Sequence, residues 1–117
     1  MNSRLALSMA LSLLVLVSSP AAVWAVEEGS VTITRPETGA TLDAGASNTL
    51  VYEVKPGASG DHVHIYIDDA EADILRELSG SYTLPTLAAG EREICIRVVN
   101  RAHVPIGING CVQVLVK

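Results

Sequence analysis

The stretch DHVHIYIDD, residues 61–69, decides how the chain reads. Apolar Val63, Ile65 and Ile67 alternate with His62, His64, Tyr66 and Asp68. A period of two is that of a β-strand with one face in a core. The pattern predicts a strand over 62–68, with the three aliphatic residues facing in and the two histidines facing out on one side.

Similar short runs lie on both sides of it. VTITRP (31–36) alternates and is halted by Pro36, and NTLVYEVKPG (48–57) predicts a strand over 48–55 closed by Pro56-Gly57. Between them ETGATLDAGAS is turn-rich, with a short extended piece at ATL. Downstream, DILREL near 73–78 reads as an edge strand or a helical turn. SYTL opens a strand over 81–87 whose Pro85 marks an edge or an end. EREICIRVV and GCVQVLV predict the last two strands, over 92–99 and 110–116. About seven strands, with turn signals every 8 to 12 residues or so, indicate an all-β chain and an immunoglobulin- or fibronectin-like β-sandwich. Neither an internal repeat nor a dividing linker is visible.

The N-terminus reads differently. Arg4 is followed by the uncharged apolar run LALSMALSLLVLV and then by SSPAAVWA, which ends in small residues. That is the pattern of a secretory signal peptide over 1–25, cleaved after Ala25. The apolar run is short for an uncleaved membrane anchor. The domain is then 26–117, exported to the periplasm or secreted, and free of the membrane after cleavage. The whole chain carries 8 basic and 13 acidic residues. Loss of Arg4 leaves the mature domain with a charge of about −6 and no basic cluster, which argues against nucleic acid as a partner.

Cys95 and Cys111 are the only cysteines. In an exported chain a pair reads as a disulfide before it reads as a thiolate metal site. Strand parity puts both on the outer face of one sheet, as a cross-strand bridge near the loop NRAHVPI.

That loop carries His103, the third of the three histidines. In an immunoglobulin-like sandwich the strand over 62–68 and the last two strands share a sheet, and the loops before 62 and after 99 sit at one end. His62 and His64 at the start of one strand and His103 in the other loop therefore converge. Three imidazoles with an open position suit copper(II) first, by the affinity order of divalent ions, and zinc next. Asp61 or Asp68 would supply an oxygen ligand or hold an imidazole by a hydrogen bond. The competing reading is plainer: an H-x-H on an exposed strand face, and a histidine that braces its loop.

The stretches DHVHIYIDD and GSYTLPTLAAGEREICIRVVNRAHVPIG together resemble small exported bacterial domains of unknown function. Those domains have an H-x-H strand ending in Asp, a stretch like L-x-x-L-x-x-G-x-H, and an H-x-P loop. The resemblance covers residues 60–117 and implies that His62, His64 and His103 are the shared histidines. The chain departs from it at Arg92, where a fourth histidine is expected.

The function expected from the sequence is binding of a metal ion for storage, delivery or tolerance. The alternative is a metal-free interaction module with a protein partner in the cell envelope. An enzyme is not expected, since the chain has no G-x-S-x-G, phosphate-cradling glycine loop or zinc-protease motif.

Overall fold

The structure, a computed structural model, describes residues 10, 12–21 and 28–117. The expected cleavage point after Ala25 and the first residues of the mature domain lie outside the described residues. Eight strands follow: β1 (Ser30–Arg35), β2 (Thr41–Leu42), β3 (Thr49–Lys55), β4 (His62–Ile67), β5 (Ala70–Leu75), β6 (Ser79–Thr83), β7 (Gly90–Val99) and β8 (Pro105–Val116). They form two facing sheets, β1-β3-β6 and β2-β8-β7-β4-β5, antiparallel except for the short pairing of β2 with β8. The expected all-β sandwich is what forms.

The period-two pattern sets the core. Leu50, Tyr52 and Val54 of β3 face Val63 and Ile65 of β4, Ile94, Ile96 and Val98 of β7, and Val112, Val114 and Val116 of β8. All are buried. A one-residue slip of any of these strands would turn its aliphatic row to solvent, so burial fixes the register.

The strand expected over 81–87 is β6, which starts at Ser79 and ends at Thr83, two residues before Pro85. Two further boundaries differ from expectation. The stretch expected near 73–78 as an edge strand or helical turn is β5, and it begins at Ala70. Asp68 and Asp69 both adopt positive φ, 50° and 64°. That is the backbone of a tight two-residue hairpin turn, which returns the chain at once alongside β4. The last strand starts at Pro105 rather than at residue 110. Near its start two extra β8 residues bulge between the Arg97–Asn109 and Val99–Pro105 pairs, with Gly107 at φ 86°. The β7–β8 connection is therefore only the short loop 100–104.

The outer face of the larger sheet also differs from expectation. Parity places His62, His64, Cys95 and Val99 there as expected, but none of them reaches solvent. His62 lies across from Val99 and His64 across from Arg97. On this face the His103 ring of the 100–104 loop lies against His62 and His64, and Glu71 reaches His64 from β5.

Cys95 and Cys111 are direct cross-strand partners on β7 and β8 and are disulfide-bonded. The bond closes a chain separation of 16 residues. Reduction, or paired Cys95→Ala and Cys111→Ala substitution, is expected to lower stability by about 3 kcal/mol through freedom regained by the unfolded chain. A lower urea midpoint of the reduced protein checks this.

Candidate metal centre

His62 and His64 point to the same side of β4 because they are two residues apart on a strand. The backbone N–H of Asp61 donates to the Val99 carbonyl at 2.9 Å, zipping the start of β4 to the end of β7. The chain leaves β7 at that point and enters the loop with His103. The loop is organised by Asn100. Its side-chain oxygen accepts from the backbone N–H groups of Ala102 (2.9 Å) and Val104 (3.1 Å). Its backbone bonds His103 N–H and the Val104 carbonyl, each at 3.0 Å. His103 sits at φ 64°, a left-handed conformation uncommon outside glycine.

The three rings meet. Nε2 of His62 lies 3.2 Å from Nε2 of His64, and Nδ1 of His103 lies 3.1 Å from the first and 3.0 Å from the second. The nitrogens form a nearly equilateral triangle. His62 and His64 are buried, and His103 caps them from the solvent side.

The far side of each buried ring fixes its proton. Nδ1 of His62 lies 2.8 Å from Oδ2 of Asp61. Nδ1 of His64 lies 3.2 Å from Oε1 of Glu71, which reaches over from β5. An ionised carboxylate only accepts, so the hydrogen bond to Asp61 puts the His62 hydrogen on Nδ1, and the nearby Glu71 carboxylate favours the same tautomer of His64. Each Nε2 is then a bare lone pair, and the two lone pairs face each other. In the metal-free protein one N–H at His103 Nδ1 can be shared between them, but it cannot fully satisfy both. A cation at the centre would satisfy all three nitrogens together.

Charge around the site follows from this arrangement. The hydrogen bond from His62 holds the Asp61 carboxyl below the usual carboxylate range, with the Arg101 and Arg76 guanidinium groups contributing. Burial pushes the His64 imidazole below the usual histidine range, more than Glu71 pulls it up. The ring is therefore neutral, the form that binds metals.

Of the sequence-predicted residues, His62, His64, His103 and Asp61 come together. Asp68 does not. It lies at the opposite end of β4, roughly 13 Å along the strand from His64. There it accepts from the Glu93 backbone N–H at 2.9 Å and from Arg92 at 3.0 Å. Its position in the hairpin turn commits it to that end of the sheet. A second carboxylate that reaches a histidine, Glu71, was missed, as was Asn100. Glu71 pairs with Tyr66 across the β4–β5 hairpin, on the histidine face. Reading DD as a two-residue turn would have found it. Arg92, where a fourth histidine was expected, is paired to Asp68 far from the triangle.

Glu93, Cys95 and Cys111 also cluster. With both sulfurs in the disulfide, they offer no thiolate.

No protein-family model and no curated protein matches the chain. Solved structures do. A fibronectin(III)-like module of CbhA from Clostridium thermocellum is 16% identical, with a TM-score of 0.62 over 74% of this chain and 95% of that one. An engineered protein is 16% identical, with a TM-score of 0.54 over 80% of this chain and 21% of that one. A lytic polysaccharide monooxygenase of Jonesia denitrificans is 17% identical, with a TM-score of 0.50 over 70% and 60%. At such identities the likeness is one of fold, and the fold is fibronectin(III)-like.

The shift of His64 has a consequence for stability. Its folded-state value lies below that of the unfolded chain, near 6.5. As pH falls, the unfolded chain takes up the proton first. The stability present above about pH 6.5 is then lost as pH falls through the folded value. Urea midpoints of the metal-free protein are expected to fall as pH drops below about 6.5. A His64→Gln variant should show a flatter profile.

Proposed function

We propose that this exported domain binds one divalent transition-metal ion through His62, His64 and His103, as a protein that stores, delivers or sequesters the ion rather than one that turns over a substrate. The observation that carries the reading is the pair of Nε2 atoms 3.2 Å apart on two buried rings, each with a carboxylate beside its Nδ1 that favours the hydrogen there. Such an arrangement is unfavourable without a shared cation or proton.

The distances support an ion. With metal–nitrogen bonds of about 2.0 Å, nitrogen separations of 3.0–3.2 Å give nitrogen–metal–nitrogen angles of about 100°. The ion would stand just off the nitrogen plane. No two of the nitrogens can lie opposite each other across it. Zinc fits as a tetrahedral ion with one outside ligand. Copper(II) fits with three adjacent positions filled and the rest taken by water, and it leads in affinity for imidazole sites. The hard-ion alternatives are disfavoured by an all-nitrogen set. The disulfide supports an oxidising compartment such as the periplasm or the exterior.

One observation favours a second reading. Among the described residues, strand β5 is the last of its sheet, and Ile74 on it is exposed. A metal-free module could bind an extended partner segment there. The two readings part on metal-linked stability.

Titration of the wild-type chain with copper(II) should saturate at one equivalent, with electron paramagnetic resonance showing nitrogen coupling from imidazoles. At a free-ion concentration 100 times the dissociation constant, stability should rise by about 2.7 kcal/mol. His64→Ala should lose the tight complex, and unchanged affinity in that variant would count decisively against the reading. Zinc is tested by the same melting shift and by competition.

The carboxylates give a sharper comparison. Glu71→Leu should weaken metal binding by about tenfold, because it removes the carboxylate beside His64 Nδ1. Asp68→Asn should leave affinity unchanged, since Asp68 serves the other end of the strand.

A further inference from the structure

Resting on the metal reading above, we propose that the His103 position is an exchange port, where an incoming imidazole from another molecule replaces His103 while His62 and His64 keep hold of the ion. The three ligands are not equivalent. His62 and His64 are 1% and 4% exposed, and each ring is held from behind by a carboxylate. His103 is exposed. Among the described residues, its ring contacts with polar groups are those to His62 and His64 alone. The loop is held by backbone and Asn100 bonds that do not involve the ring. The ring can therefore swing away by side-chain rotation, leaving the loop and the sheet as they are.

The ligating atoms differ as well. The buried rings offer Nε2, whereas His103 offers Nδ1, so its Nε2 faces outward and can carry the proton in contact with water. Ligation therefore displaces the Nδ1 proton of the metal-free form, the outward Nε2 takes one up from water so that the ring stays neutral, and departure of the neutral ring from the bound ion needs no proton. The outside donor comes from the solvent side, where His103 is the exposed member of the three, and takes the position that the His103 ring gives up. One metal–nitrogen bond forms, the bond to His103 Nδ1 breaks, and the charge and oxidation state of the ion do not change. The acceptor or donor of the ion is then a molecule that presents a neutral nitrogen ligand of the imidazole class.

The test uses His103→Gly, because glycine suits the φ of 64° at this position and the loop keeps its backbone. Circular dichroism and the urea midpoint confirm that the variant folds. Copper(II) binding is then followed by electron paramagnetic resonance with and without free imidazole. We expect His103→Gly to bind more weakly by at least about tenfold, the size of effect seen when an imidazole set is perturbed. Added imidazole should restore both the affinity and the wild-type spectrum. His64→Ala should not respond, because the vacated space is buried behind the cap. In the wild type, transfer of copper to a histidine-containing tripeptide should speed up in proportion to peptide concentration.

A variant that imidazole does not restore would overturn the port while leaving the metal site standing. So would equal restoration of His64→Ala, or a transfer rate independent of peptide. Failure of the wild-type chain to bind copper or zinc would overturn the site and the port together.

Discussion

Two imidazole nitrogens with bare lone pairs, aimed at each other inside the protein, are the constraint around which this end of the domain is built. Buried polar atoms ordinarily find complementary partners, since an unmatched one costs on the order of 1–3 kcal/mol. Every buried side-chain nitrogen among the described residues has a polar neighbour. For His62 and His64 that neighbour is another acceptor as much as a donor. Asp61 anchors the His62 hydrogen on the far side of its ring, and the Glu71 carboxylate favours the same for His64, which leaves the two Nε2 atoms without a hydrogen to share between them.

The sandwich makes the convergence possible and the β7–β8 hairpin makes it rigid. His62 and His103 are 41 residues apart, and the link between them is the short route from β4 to its neighbour β7. The Cys95–Cys111 bond ties β7 to β8 within the same ladder. Asn100 then turns the chain with its own side chain, so the loop needs no outside contact to hold its shape. The result is a stiff frame that presents one ring from a loop to two rings on a strand.

Much of this was legible from residues 61–69 alone, because the two-residue period assigns faces without reference to anything else. The core residues of β4, β7 and β8 follow from it, as does the meeting of the histidines, once the strand order of a fibronectin-like sandwich is supplied. What failed was inference from nearness in sequence. Asp68 is close to His64 along the chain, but a strand separates residues at more than 3 Å each, so it ends far away. Glu71 is further along the chain and nearer in space, because the Asp68–Asp69 turn folds it back. The burial of His62 and His64 was also illegible. Parity says which face a side chain takes, whereas burial depends on what the rest of the chain lays over that face.

Local rules are broken here in a concentrated way. His62 and His64 are buried polar residues on the side of the sheet away from the sandwich core, and His103 takes a left-handed backbone conformation. Either feature alone has an ordinary structural account. A buried histidine can satisfy a hydrogen bond, and a polar residue can end a loop with positive φ. A purely structural account of all three must explain why the unfavourable features face one point. Apolar residues at 62 and 64 would cover Val99 without lone-pair repulsion, and glycine or asparagine at 103 would turn the loop with less strain. Natural sequences depart from local consistency mainly where function requires it. The physical content of that statement here is a small triangle of nitrogens whose mutual repulsion a single cation converts into attraction.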